Sequence, residues 1–126
     1  MPTQIQRYGG EILETTELAR QIVDAVAERL GSDIVLLDMQ EVSLLADYFV
    51  LCNAESSPQF RAILDEVNKQ AKAAGGRLLH VEGDAASGWL LLDYGAVVVH
   101  IFDPDLRSYY NLEGLWKDAR LVVRIQ

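Results

Sequence analysis

The stretch WLLLDYGAVVVHIF, residues 89–102, decides the fold. Two apolar runs, 89–93 and 97–102, the second rich in β-branched residues, flank Tyr94-Gly95, where glycine supplies the backbone angle a tight hairpin turn requires. A two-residue turn at Tyr94-Gly95, or a four-residue turn centred there, pairs Asp93 with Ala96, Leu92 with Val97, Leu91 with Val98, Leu90 with Val99 and Trp89 with His100. An odd loop would shift the partners and break this assignment. Side chains alternate along a strand. One face therefore carries Leu90, Leu92, Val97, Val99 and Ile101, wholly aliphatic and the natural core side. The other carries Trp89, Leu91, Asp93, Val98, His100 and Phe102. Two readings of that second face stand side by side. Left open, it is an aromatic, half-polar patch like the anchor region of a protein interface. Covered by the C-terminal helix, it is a second packing layer in which Trp89 and Trp116 meet.

Upstream of the hairpin, Leu18, Ile22, Val26 and Leu30 recur at helical spacing, with Thr15 or Thr16 as cap and Gly31 as a left-handed stop. Residues 34–37 and 48–52 are short apolar strands. Ser57-Pro58 starts a helix whose buried face is Phe60, Ile63, Leu64, Val67 and Ala71, and Gly75-Gly76 ends it. Residues 78–81 give a third strand. Beyond the hairpin, Asp103-Pro104 breaks the strand, and a short helix holds Leu112, Leu115 and Trp116. The order α-β-β-α-β-β-β-α predicts an α/β (α+β) fold: a single mixed sheet of about five strands with helices packed on one face. Residues 15–120 form this domain, 1–14 a flexible N-terminal tail containing Gly9-Gly10, and 121–126 a C-terminal tail.

A chain of 126 residues suits one domain. A net charge of −8 disfavours direct nucleic-acid recognition, which rests on Lys and Arg neutralising phosphates. It suits a basic protein partner, although acidity also simply keeps proteins apart in solution. The single cysteine, Cys52, has no partner for an internal disulfide and reads as a small buried hydrophobe. No apolar stretch approaches the ~20 residues that span a bilayer, and no signal-peptide core opens the chain. The expectation is a cytoplasmic protein without membrane attachment.

The segment EGDAASGWLLLDYGAVVVHIF followed by RSYYNLEGLW resembles the ribosomal silencing factors, also called Iojap-related proteins. The resemblance runs through Glu82-Gly83, Trp89, Asp93-Tyr94-Gly95, His100, Arg107, Tyr110, Leu112-Glu113 and Leu115-Trp116. Upstream it includes Asp38, Ser43, Asp47-Tyr48-Phe49 and Ser56-Ser57, so it covers about residues 16–119. The chain departs from the family pattern at Ala96, where an acidic residue is usual, and at Asn53-Ala54-Glu55, where many members have glycine. Residues 1–14 have no counterpart. The resemblance implies a nucleotidyltransferase-like fold without catalytic residues and no cofactor. It implies a translation repressor of the nutrient-stress response that binds the large ribosomal subunit through its L-fourteen protein and blocks joining of the small subunit. Matched positions expected at the contact are Trp89, Tyr94, His100, Tyr110 and Trp116; the face argument adds Leu91 and Phe102. A homodimer through a sheet edge or helix face is a further expectation, since an uncovered edge invites pairing.

The rival reading is a nucleotidyltransferase-like enzyme acting on a nucleotide or RNA end. That chemistry needs Gly-Ser for phosphate and paired carboxylates for magnesium. Gly31-Ser32 reads instead as a helix terminator, Asp38 has no acidic partner two residues away, and Asp103-Pro104-Asp105 sits in a turn. A zinc site from His80, Glu82 and His100 would need three residues to converge across strands, and no metal is expected. Cys52 lacks any neighbour in sequence that would lower its pKa.

Overall fold

In the computed structural model of the protein, the backbone is described from residue 2 to residue 126 and the side chains from residue 15 onward. Helix α1 spans Pro2–Glu28. Thr15 and Thr16 thus lie within it rather than at its cap, and Thr16 Oγ1 stands 2.9 Å from the hydroxyl of Tyr48. The side chains of the expected tail, 1–14, lie outside the described residues. Past the helix, the left-handed residue is Leu30 (φ 62°), not Gly31. Gly31 is needed for close approach instead: a Cβ there would fall 2.5 Å from Val26 Cγ1, while its N–H closes on the Val26 carbonyl at 3.0 Å.

The remaining elements are β1 (Ser32–Asp38), β2 (Tyr48–Asn53), α2 (Ser57–Ala73), β3 (His80–Asp84), β4 (Trp89–Asp93), β5 (Val97–Phe102), α3 (Pro104–Tyr110), α4 (Leu112–Leu115) and β6 (Arg120–Ile125). Helix α2 begins one residue earlier than Ser57-Pro58 suggested. Ser56 is its cap and accepts from the Gln59 N–H at 3.2 Å. The six strands run in the order β3-β4-β5-β2-β1-β6. β2 and β5 are parallel and the other pairs antiparallel.

The sixth strand corrects the expected C-terminal tail. Arg120–Ile125 pairs with β1, and Asp38 receives Arg120 at 2.9 Å at the end of that pairing. Half-exposed Val122 and Val123, flanked by arginines, are what an edge strand presents; a pattern so weakly buried reads as a tail.

The hairpin register is a second correction. Trp89 pairs with Phe102, Leu90 with Ile101, Leu91 with His100, Leu92 with Val99 and Asp93 with Val98. The turn is therefore Gly95-Ala96, with Gly95 at φ 85° as its first central residue and the Tyr94 N–H donating to the Val97 carbonyl at 2.9 Å. The slip moves every partner by two positions, an even number, so the two faces keep their membership.

Leu90, Leu92, Val97, Val99 and Ile101 all lie in the main core with Ile34, Leu36, Val50 and Cys52, under α1 and α2. Glu66 on α2 ties the helix pair together. It accepts from Gln70 at 2.7 Å and from Arg29 at 2.8 Å, and these bonds hold its carboxyl below the usual range. On the opposite face, α3, α4 and Trp116 lie over a smaller cluster of Val35, Leu37, Met39, Leu51 and Phe102. Helices thus pack on both faces of the sheet rather than one.

Candidate functional site

The second face is divided. Its rows follow from the pairing: Glu82 on β3 stands beside Leu91 on β4, then His100, Leu51, Val35 and finally Arg124 on β6. Toward β1 and β2 these positions are buried beneath α3 and α4; toward β3 and β4 they are half open. The C-terminal helices thus cover one half of this face and leave the other half open. Trp89 and Trp116 are both half-buried and sit in the same cluster.

Trp89 is the centre. Its ring lies 4.9 Å from Phe102 and 4.8 Å from Tyr110, centroid to centroid. Its indole N–H donates to His100 Nδ1 at 3.2 Å. An accepting Nδ1 puts the proton of a neutral imidazole on Nε2. Burial keeps His100 neutral, pushing its pKa down to about 4. Nε2 has no hydrogen-bond partner among the described residues. Phe49, on the alternate face of β2, closes the other side, 4.8 Å from His100 and 6.1 Å from Trp116. The same alternation that sorted the hairpin would have found Phe49, because Tyr48, Val50 and Cys52 point into the main core. Beside Trp89, a groove of about 280 Å³ is lined by Leu91, Leu106 and Tyr110, with Glu82 at its rim.

Of the seven residues expected at a contact, Trp89, Leu91, Tyr110 and Trp116 reach the surface of this face. Phe102 and His100 belong to the same cluster but are buried, 0% and 4% exposed, and form its floor. Tyr94 is not brought to the site. The corrected register carries the alternation of β4 one residue past its end, so Tyr94 is in phase with Leu90 and Leu92 and points to the helix side. There it is buried and its hydroxyl donates to Asn68 Oδ1 on α2 at 2.5 Å. Burial raises its phenol to about 12.

The support under the site comes from Arg107, buried on α3. It donates to the Asp33 carbonyl at 2.5 Å, to Asn53 Oδ1 at 2.9 Å and to Glu113 Oε1 at 3.0 Å, so one side chain clamps α3 and α4 to β1 and β2. Burial alone would raise the Glu113 carboxyl, but Arg107 and Arg124 outweigh it and hold the group low. Asp33 and Asn53 lie more than fifty positions from Arg107 in the chain, so no local pattern signals this clamp.

The residues of the rival chemistries are engaged elsewhere. Asp38 accepts from Arg120 and from the Gln40 N–H, and Asp103 caps α3 by accepting from the Asp105 N–H. His80 pairs with Glu82 at 2.9 Å at the sheet edge, and Leu91 stands between Glu82 and His100. Among the described residues, no group of three or more His, Cys, Asp or Glu is gathered as a metal site would need. Burial lifts the Cys52 thiol to about 12, leaving no thiolate at neutral pH. No helix among the described residues is long and apolar enough to cross a membrane.

The chain matches a family model described as "Ribosomal silencing factor during starvation" over residues 12–126. It is 46% identical over 97 residues to the ribosomal silencing factor RsfS of Bacillus subtilis, covering 77% of this chain and 82% of that one. To RsfS of Halalkalibacterium halodurans it is 41% identical over 110 residues, 87% of this chain and 94% of the other. A crystal structure of a protein from Bacillus halodurans superposes with a TM-score of 0.73 at 39% identity, covering 86% of this chain and 98% of that one.

Proposed function

Since this chain belongs to the ribosomal silencing factor family, the Iojap-related proteins, we propose that it does its silencing through the open half of the aromatic face, docked on the large ribosomal subunit. The family is one of ribosome-binding factors, not enzymes. The partner on the subunit is its L-fourteen protein, on the surface that the small subunit must reach. A body seated there excludes the small subunit by occupying its place, and translation falls without any covalent step.

The observation that carries this reading is the Trp89 cluster. Protein interfaces concentrate their energy in a few aromatic anchors set among contacts that exclude water. Trp89, Tyr110 and Trp116 supply such rings at the surface, above a floor of Phe102 and His100. The floor is fixed by packing and by the indole–imidazole bond, so little side-chain freedom remains to be lost on binding. To block joining, the factor must outlast each attempt by the small subunit, which calls for slow release.

Sedimentation of purified large subunits with the chain tests the reading, and subunit joining in its presence tests the mechanism. Trp89→Ala is expected to weaken subunit binding by about 2 kcal/mol, roughly thirtyfold. A folded variant that binds as tightly as the parent would remove Trp89 from the contact.

A further inference from the structure

We propose that the connection between β1 and β2 is a second anchor, in which Leu44 and Leu45 enter an apolar cleft on a basic ribosomal protein surface beside the aromatic face. This rests on the reading of that face as the ribosome contact.

Leu44 and Leu45 are the two most exposed large hydrophobic side chains among the described residues, at 103% and 91% of full exposure. They are held out by a fixed loop. The Met39 N–H donates to the Asp47 carbonyl at 2.7 Å, and the Ser43 N–H donates to the Met39 carbonyl at 2.8 Å. Ser43 Oγ then accepts from the N–H groups of Leu45 and Ala46, at 3.1 and 3.4 Å. The Asp47 N–H reaches across to the Ala96 carbonyl at 2.7 Å, fastening the loop to the hairpin turn. Because the backbone of the loop is already held by these bonds, little of it remains to be ordered when a partner arrives.

The loop is continuous with the aromatic face. Its base, Met39, is fully buried in the cluster under that face, and Val42 packs there with Phe49 and Trp116. The loop that carries the two leucines thus borders the cluster on which Trp116 and Trp89 sit.

Charge selects the occupant. Residues 30–60 contain five carboxylates and no Lys or Arg, and residues 78–106 again contain five and none. These two segments supply the first five strands, the hairpin turn and the loop; the cations lie in α1, α2, α3 and the segments beyond them. Glu41 and Asp47 flank the leucines within the loop itself. An apolar pair set in a cation-free segment fits a basic protein surface with an apolar cleft. Phosphate backbones and anionic lipid headgroups attract cations, which this loop lacks. A second copy would bring like charge to like charge.

The test is the affinity of the full chain for purified large subunits, with Leu44→Ser/Leu45→Ser and Glu41→Lys as variants and Trp89→Ala as reference. The double variant is expected to bind about tenfold more weakly while its thermal midpoint stays that of the parent, because the two side chains face solvent. Glu41→Lys is expected to weaken binding most at low ionic strength. If the parent binds, Trp89→Ala binds weakly and the double variant binds like the parent, the loop is no anchor and the aromatic-face reading survives alone. If the parent itself fails to bind subunits, the underlying reading falls and this inference with it. If the double variant changes self-association in sedimentation equilibrium while subunit binding holds, the leucines serve contacts between copies, which overturns the proposal.

Discussion

The two faces of the sheet are cut from the same strands, yet they are built for different ends. On the helix side, Leu90, Leu92, Val97, Val99 and Ile101 are aliphatic and closed over by α1 and α2. On the other side, one residue further along each strand, stand Trp89, Leu91, His100 and Phe102, and α3 and α4 cover only part of them. A closed face is under pressure to fill space, which aliphatic side chains do without polar atoms to satisfy. A half-open face can carry an indole because the buried imidazole beneath it accepts the indole N–H, and because surface aromatics contribute area to a partner. The difference teaches where stability and binding should separate.

The largest effect belongs to the closed face. Leu92 is fully buried, and Leu92→Ala is expected to cost about 2–5 kcal/mol of folding stability, read from urea denaturation. Whatever fraction remains folded should bind the large subunit normally. A variant that loses binding while keeping its stability would erase the division between the faces.

Acid probes the open face next. His100 is held neutral, with its pKa near 4 in the fold against 6.5 for the free side chain. Below pH 6.5 the unfolded chain takes up a proton that the folded chain refuses until about pH 4, so stability falls as pH falls through that window. Between about pH 7 and pH 5 the loss should be about 2 kcal/mol. Glu66 and Glu113, both held low by their partners, add further loss only as the pH drops through the ordinary carboxylate range. A His100→Gln variant should show a nearly flat stability between pH 7 and 5. An equally steep profile would mean that His100 is not the group refusing the proton.

The smallest effect separates Tyr94 from the aromatic cluster. Tyr94→Phe removes the bond to Asn68 and should cost about 1 kcal/mol of stability, with subunit binding unchanged. Weakened binding at unchanged stability would return Tyr94 to the contact.

Much of this arrangement was legible in the sequence. The strands at 89–93 and 97–102 came out with their observed bounds, and the faces were sorted correctly even though the register was two residues off. An even slip is invisible to alternation, which is why the faces survived. Tyr94 was expected at the contact from the resemblance alone, and alternation says nothing of it until the register places it in phase with Leu90 and Leu92. Alternation puts His100 and Phe102 on this face but cannot show that they are its floor, because it says which way a side chain points and not what lies on top of it. Strand β6 was missed because residues 120–125 carry a short apolar core between two arginines and find their partner more than eighty positions earlier in the chain. No local pattern encodes such a pairing. The reach of Arg107 to Asp33 and Asn53 is hidden for the same reason.

That last strand bears on the order of events during synthesis. Ile34 is made early, yet its outer neighbour Ile125 comes ninety-one residues later, so β1 waits with one bare side while everything between is produced. Contacts this distant along the chain form slowly, and a nascent chain with β6 still inside the exit tunnel would display an unfinished sheet. The sheet of a molecule that silences ribosomes is thus closed only after β6 has cleared one.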